Sequence, residues 1–545
     1  MFIREMKGTH KKYLYLSQTF REGKKVRQQN LVNFGAIDEL NEEEIKNIAF
    51  KLLAYCKTND SVSLSHLKED TRQNWGAIAI TKKLLEIFQI NSLIKNLLEN
   101  KKTKIDVLSV LNFLISERLA SPRSKLSSYQ HQNWYLQNSH IELHEIYRTL
   151  DFLEDNKNSI KEHLFKKQKE LFKLDVSVVF YDVTTFYFES KKENELKKFG
   201  YSKDCKFNEV QVVVGALIDK TGRPLDYEVF QGNTYEGHTL KNFLVRMKNK
   251  YHVSEVIIVA DRGLNSKENI AEILNTTPEF NFIVGHRIRS SSDEMKKKIF
   301  DDSDYKDLSY NQDEIFRYKI IEQEKKLKDS EGKTKKIHDK IIVTYSSKRA
   351  KKDKADRERL IKKARDIVDS NLPLNDKRGA KKYINAEIKN AAINEDKISE
   401  DSTWDGYYSI ETSKMDFSAE KVLEAYHTLW RIEDLFRTFK TQLETRPVWH
   451  WTEKRIQGHF CLCFLALVFE RTLEIECHKK FNETSPTSIR EAINSLQVST
   501  LNASAQKSFF VFSKISEYAQ AILDVVGIKA PPAVCGEDIL RKTCL

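Results

Sequence analysis

The spacing of apolar residues changes character several times along the chain. In residues 1–35, "KKYLYLSQTF" and "KVRQQNLVNFG" alternate apolar and polar positions around "REGK", which predicts a small β-hairpin unit. "NEEEIKNIAFKLLAYC" then reads as a helix. From about 75 to 173 the period is helical, through "AIAITKKLLEIFQINSLIKNLL", "KIDVLSVLNFLISERLA", "IELHEIYRTLDFLEDN" and "IKEHLFKKQKELFKL". At 175 it switches to β-branched and aromatic runs. "VSVVFYDVTTFYF" predicts a strand, and "FNEVQVVVGALID" and "RPLDYEVFQG" predict a hairpin around "KTGR". "TLKNFLVRMKNKY" is a helix, "SEVIIVAD" a buried strand, "SKENIAEILN" a helix capped by Ser266, and "FNFIVGHRI" another strand. The order strand-strand-strand-helix-strand-helix-strand predicts α/β layers.

Between about 290 and 400 the chain turns Lys-rich, with strands such as "KIIVTYSS" and the charged helix "KADRERLIKKARDIV". "WDGYYSIET" (404–412) restores a strand, and "SAEKVLEAYHTLWRIEDLFRTFKTQLETR" reads as one long helix. No internal repeat is present. The expected organisation is a β-hairpin and helix unit over 1–65, a helical region over 66–173, and the first part of an α/β core over 174–290. A mostly β insertion over 291–400, the second part of the core over 401–480 and a helical C-terminal region over 481–545 follow.

Composition narrows the partners. The 545 residues carry 91 Lys and Arg against 79 Asp and Glu, a formal charge of +12, which suits a polyanion partner. The helical block suits a DNA-binding region and a plain scaffold equally. The most apolar stretch, "FCLCFLALVF" (460–469), is too short to cross a bilayer and is expected to be a buried helix. The N-terminus lacks the apolar stretch of a signal peptide. Cys461, Cys463 and the Cys477-His478 pair lack zinc-site spacing and are expected to be buried thiols. A reducing, cytoplasmic setting fits.

Two acids fall where strands should end: Asp182 in "FYDVTT" and Asp261 in "VIIVADRG". The first and fourth strands are expected to be neighbours, which brings the two carboxylates together. Adjacent carboxylates repel unless a cation holds them. Glu433, in "LWRIEDLFRTFK", is the candidate third acid. Ile432, Phe436, Phe439 and Leu443 form an apolar stripe beside it, with Arg437 and Lys440 at i+4 and i+7. Taken alone, the same pattern describes an i,i+4 ion pair on a solvated helix.

In this order the pieces resemble the DDE transposases of bacterial insertion sequences, and more narrowly the group with a Tyr-x2-Arg-x3-Glu-x6-Lys signature that includes the transposase of transposon five. Tyr426, Glu433 and Lys440 occupy that signature, while Leu429 stands where its Arg belongs. Arg431 is a candidate substitute cation. Further familiar stretches are "GYSKD" (200–204), "VFQGNTYEGHTL" (229–240) and "RPVWHWTEKRIQGHF" (446–460).

The resemblance implies a ribonuclease H-like catalytic core, with Asp182, Asp261 and Glu433 holding two Mg2+ or Mn2+ ions for phosphodiester hydrolysis and strand transfer. It implies double-stranded DNA as partner, both element ends and target, a homodimer on that DNA, and a nucleoid-associated place in a bacterial cytoplasm. Tyr426, Trp430, Arg431, Arg437 and Lys440 become candidate DNA contacts. Tyr201, Lys203 and Asp204 are candidate residues at the site edge. Trp449, His450 and Trp451 are contacts or packing. Two alternatives stay open: a metal-dependent nuclease or resolvase on the same core, and a catalytically silent DNA-binding derivative.

Overall fold

The computed structural model describes residues 2–23, 25–55, 68–99, 104–137, 140–202, 206–253, 255–276, 280–308, 314–328, 332, 334–370, 379–385, 392–504 and 507–544. The chain forms two units. The smaller comprises Met1–Arg72, Val498–Phe512 and Pro532–Leu540. Its N-terminal strands, Phe2–Lys7, Lys12–Glu22 and Lys25–Ala36, pair in order as an antiparallel sheet, one strand more than a hairpin. The helix Glu42–Tyr55 follows. A second sheet runs in the order Val534–Cys535, Lys507–Phe512, Gln497–Ser504, Lys68–Asn74. These strands correct the helical expectation for 481–545. "KSFFVF" carries the aromatic, β-branched pattern of a strand and forms a hairpin with Gln497–Ser504, whose other neighbour, Lys68–Asn74, lies far away in sequence.

The larger unit comprises Gln73–Gln497, Ser513–Pro531 and Arg541–Leu545. It opens with six helices: α1 (Gly76–Ile87), α2 (Ile90–Leu98), α3 (Val107–Ala120), α4 (Lys125–Gln130), α5 (Leu143–Asp155) and α6 (Lys157–Phe172). A sheet follows, built on β1 (Val178–Tyr187), β2 (Gln211–Asp219), β3 (Pro224–Gln231), β4 (Val256–Ala260) and β5 (Phe280–Gly285). Helices α7 (Leu240–Asn249) and α8 (Lys267–Thr276) lie between these strands in sequence. As expected, Ser266 caps α8, its hydroxyl accepting from the Asn269 N–H at 3.1 Å. "KTGR" turns the antiparallel β2–β3 pair.

The Lys-rich segment supplies β6 (Phe316–Lys328), β7 (Thr334–Ser346) and the helix α9 (Ser347–Asp369). β8 (Tyr407–Thr412) returns the chain to the core. From the edge strand Lys306–Asp307 the sheet order is β6-β7-β8-β5-β4-β1-β2-β3. β4 runs parallel to β1 and to β5, and the other neighbours are antiparallel. The long β6–β7 hairpin therefore extends the core sheet, because β7 pairs with β8 over Lys340–Tyr345. The segment is also more helical than its expected, mostly β character: α9 alone spans 23 residues.

One face of the sheet presents Val179, Tyr181, Val183, Ile258 and Ala260 to a core that includes Phe243 and Met247 of α7 and Ile270 of α8. The other face carries Phe180, Asp182, Thr184 and Phe186 of β1, since side chains alternate along a strand. It is covered by α10 (Ala419–His427), α11 (Trp430–Arg437) and α12 (Glu453–His478). Phe460 and Phe464 of α12 pack on Phe186 and Tyr227, with ring centroids 5.2 and 4.7 Å apart. "FCLCFLALVF" is indeed a buried stretch of α12, and Cys461, Cys463 and Cys477 are buried free thiols. No helix among the described residues is long and apolar enough to cross a membrane.

Candidate active site

Asp182 lies mid-strand on β1, half-buried, its Oδ1 accepting from the Val183 N–H at 2.7 Å. Asp261 is the first residue beyond β4. It caps the short 3-10 turn Arg262–Leu264, its Oδ1 accepting from the Gly263 N–H at 2.8 Å. In the parallel β1–β4 ladder Phe180 pairs with Val259 and Tyr181 with Ala260. Asp182 and Asp261 are the residues that follow this last pair, one on β1 and the other just past the end of β4.

Glu433 is exposed on α11, which packs on β1 and β2. Two contacts fix the course of this helix. Arg431 Nη1 donates to the Thr221 carbonyl at 3.2 Å in the β2–β3 turn, beside the start of β1. Phe439 meets Phe186 near the end of β1 at 5.4 Å. Glu433 lies between these anchors, as Asp182 lies between their partners. Among the described residues, however, no three acids, histidines or cysteines converge closely enough to form a ready metal-binding group. Asp182 and Asp261 lie on and just past adjacent strands of the sheet, and Glu433 is exposed on a separate helix.

The long helix expected over 418–446 is broken. α10 ends at His427, and a tightened turn follows in which the Leu429 and Arg431 N–H groups bond three residues back, to Tyr426 and Thr428. Leu429, at the signature's Arg position, precedes the first residue of α11. After Arg437 the helix widens into a π-turn over Thr438–Gln442. This places Phe439 on Phe186 and buries Lys440, whose Nζ lies 5.5 Å from the Phe186 ring centre. Lys440 thus leaves the exposed face that Glu433 and Arg437 share. Arg437 pairs with Asp434, and Arg471 Nη2 donates to the other Asp434 oxygen at 2.9 Å. Burial would raise the Asp434 carboxyl, but the two guanidiniums hold it below its ordinary range. Asp434 is accordingly a half-buried anchor of α11 to α12.

Tyr426 reaches the same sheet edge from α10. Its hydroxyl bonds that of Tyr408 at 2.5 Å. A methyl placed on Gly285 would lie 2.6 Å from the Tyr426 hydroxyl and 3.1 Å from the Arg262 nitrogen. Burial, Tyr408 and nearby Asp261 together raise the Tyr426 phenol. One acid near Asp261 escaped the sequence reading. The Asp261 and Glu236 carboxylates each come within 3.1 Å of the position a Gly263 side chain would take. The signal was present in "NTYEGHTL", but its acid had no strand end to mark it.

Trp430 is half-exposed with the Arg431 guanidinium 5.0 Å from its ring centre, so it is a surface aromatic rather than a core one. Tyr201 is exposed. Lys203 and Asp204 lie outside the described residues. Trp449, His450 and Trp451 follow the π-turn on a loop held to the end of β1, where the Val448 N–H donates to the Tyr187 carbonyl at 3.2 Å.

Comparison with known proteins adds the following. Residues 174–469 match the family model of the transposase DDE domain, and residues 3–60 match the N-terminal domain of IS1634 family transposases. No curated protein matches the chain at a significant level. Among solved structures, the chain is similar to piggyBac transposase in a synaptic complex with hairpin DNA. Identity is 7%, the overlap covers 77% of this chain and 78% of that one, and the TM-score is 0.34. For Mos1 transposase in a paired-end complex with the left transposon end the identity is 12%, the coverage 46% and 68%, and the TM-score 0.14. Both superpositions are loose.

Proposed function

The chain belongs to the DDE transposases, and from that premise we propose that Asp182, Asp261 and Glu433 are its catalytic acids. As a DDE transposase it is a DNA-cleaving and strand-transferring enzyme, a family that generally uses divalent metal ions. The observation that supports the assignment is the β1–β4 register, which pairs Tyr181 with Ala260, the residues immediately before Asp182 and Asp261, while the helix bearing Glu433 packs on β1. Neither family match is to a nuclease or a resolvase.

The three donors are all carboxylate oxygens, the set that a hard divalent cation takes. Asp182, Asp261 and Glu433 would hold two Mg2+ or Mn2+ ions, whose chemistry is to make bound water nucleophilic and to steady a leaving 3′ oxygen. Phosphoryl transfer needs positioning and charge neutralisation rather than a protein nucleophile. The Gly263 N–H fixes the Asp261 carboxylate, and the Tyr408–Tyr426 pair walls the site beside it. Trp430 and Arg437, exposed on α11, are suited to contact the DNA backbone and bases. Arg431, bound to the β2–β3 turn, and Lys440, buried over Phe186, shape the helix more than they reach outward. Recognition of the inverted repeats is assigned to residues 1–173, and cutting two ends together to a homodimer on DNA.

Asp182→Ala, Asp261→Ala and Glu433→Ala should each abolish Mg2+-dependent cleavage of element-end DNA while gel-shift affinity for that DNA persists. Full cleavage by Glu433→Ala would remove Glu433 from the site.

A further inference from the structure

The loop 446–452 carries a feature that the cleavage site leaves unused. Its backbone is pinned. Besides the Val448 bond to β1, the Trp451 carbonyl accepts from Asn194 Nδ2 at 3.2 Å, and Thr452 caps α12. Its indoles are nonetheless outside: Trp449 is 55% exposed and Trp451 71%. Large aromatics are usually well covered, so two exposed tryptophans on a fixed loop are unlike ordinary packing. His450, between them, points inward against Tyr147 and His459. Burial and the charges of Lys125 and Arg118 push its imidazole down to about 3, which keeps it neutral.

Behind the indoles lies a recess of about 280 Å³, lined by Ser124, Lys125, Tyr147, Trp449, His450 and Trp451 among others. This falls just under the ~300–1,000 Å³ usual for a small-molecule site, room for one nucleotide unit and too little for a duplex. A smaller inner recess shares Lys125, Trp449 and His450 and adds Arg118, Arg123 and Arg446, against one acid, Glu444. Lys125 is 97% buried (3% exposed), lines both spaces, and its amine has no hydrogen-bond partner in the protein. The neighbouring acid Glu117 accepts from Ser128 and is raised by its own burial, with the Lys125 charge the first influence opposing that rise. An unmet buried donor costs ~1–3 kcal/mol, and an entering anion would relieve it. Burial and the Arg118 charge push the Lys125 amine down to about 7, and an anion beside it would favour the charged form. The recess thus offers aromatic faces outside and guanidinium and amine donors inside, the two elements that hold single-stranded nucleic acid.

Its position suits a strand leaving the cleavage site. Tyr187, to which the loop is bonded, is five residues beyond Asp182 on β1. At ~3.3 Å per residue that is roughly 17 Å, or about five stacked nucleotides at ~3.4 Å each.

We propose that this recess binds one unpaired nucleotide of the DNA strand, its base on Trp449 and Trp451 and its phosphate toward Lys125 and Arg123. The proposal rests on the transposase reading of the chain and is separable from the assignment of the three acids. It is tested with the full-length protein and the terminal-repeat duplex, blunt or bearing a five-nucleotide single-stranded tail with 5-iododeoxyuridine, on either strand in turn. The tail should tighten binding, and irradiation should cross-link it to the peptide containing Trp449 and Trp451. Stacking is worth ~1–3 kcal/mol per base, so Trp449→Ala/Trp451→Ala should lose about ten-fold or more of the tail's contribution and keep its blunt-duplex affinity. Both tryptophans are on the surface, so the variant should fold. A cross-link elsewhere, or an unchanged tail contribution in the double variant, would overturn the proposal. Displacement of the tail by an equal concentration of free thymidine monophosphate would overturn the strand assignment. Failure of the wild type to bind or cut the blunt repeat would instead count against the transposase site.

Discussion

Gly285 ends β5 at the point where α10 meets the candidate site, and Gly285→Ala tests that junction. An added methyl would stand 2.6 Å from the Tyr426 hydroxyl and 3.1 Å from both the Tyr408 hydroxyl and the Arg262 nitrogen. Ordinary contact begins at 3.4 Å, so the Tyr426 oxygen must retreat by about 0.8 Å (3.4 less 2.6). It cannot do so alone, because it is bonded to Tyr408 at 2.5 Å. Overpacking costs ~1–3 kcal/mol, and a lost hydrogen bond ~0.5–1.5 kcal/mol. Gly285→Ala should therefore destabilise the chain by about 2 kcal/mol, within the sum of those ranges. Tyr426→Phe removes the obstructing oxygen, and in that background the remaining obstacles lie at 3.1 Å. The same glycine substitution should then cost only ~1 kcal/mol, leaving a coupling of about 1 kcal/mol between the two positions. Urea unfolding of the wild type, both single variants and the double variant measures this coupling. Single-turnover cleavage with Mg2+ on the same four proteins should show Gly285→Ala slowed by ten-fold or more, with partial recovery in the double variant. Additivity within ~0.3 kcal/mol would refute the placement of Tyr426 against the end of β5.

Two further outcomes are expected. Glu236→Gln should slow single-turnover cleavage about ten-fold, an effect of ~1.4 kcal/mol, without changing duplex affinity in a gel shift; a wild-type rate would reduce Glu236 to a structural role. Asp434→Asn should lower stability by about 1 kcal/mol at pH 7, a hydrogen-bonded ion pair discounted for its half-exposure. Because the folded Asp434 carboxyl is held below the ordinary aspartate value of 3.8, that stabilisation is present above this pH and lost as pH falls through the folded value. The urea midpoints of wild type and variant should converge on acidification below about pH 4; a constant gap down to pH 3 would exclude the ion pair as the cause.

Much of this fold was legible in the sequence because its signals are local. β-Branched, aromatic and apolar runs marked all five strands at the heart of the sheet, and the all-apolar "VIIVA" marked β4 as a strand buried on both faces. Asp182 and Asp261 could be picked out because each interrupts or ends such a run. Their adjacency followed from strand order, which connection rules restrict to few choices. The buried α12, the "KTGR" turn and the Ser266 cap likewise depend on residues close in sequence.

What the sequence left open depends on partners far along the chain. Nothing within "AYHTLWRIEDLFRTFK" breaks a helix: it contains neither Gly nor Pro. The break before α11 and the π-turn after it arise where Arg431 must reach Thr221 and Phe439 must reach Phe186, at opposite ends of β1. Asp434 could not be told from a solvent-facing acid until α12 brought Arg471, 37 residues on, against it. Glu236 nears Asp261 only because two short turns meet at the sheet edge. The indoles of "VWHW" could have been core or surface, and the pinning of the loop backbone to β1 decided for surface. Side-chain periodicity by itself determined which elements form and where their acids lie. Which of those acids meet, and which cations are already taken, was decided by register and long-range packing, because both depend on contacts that close only when the whole sheet is assembled.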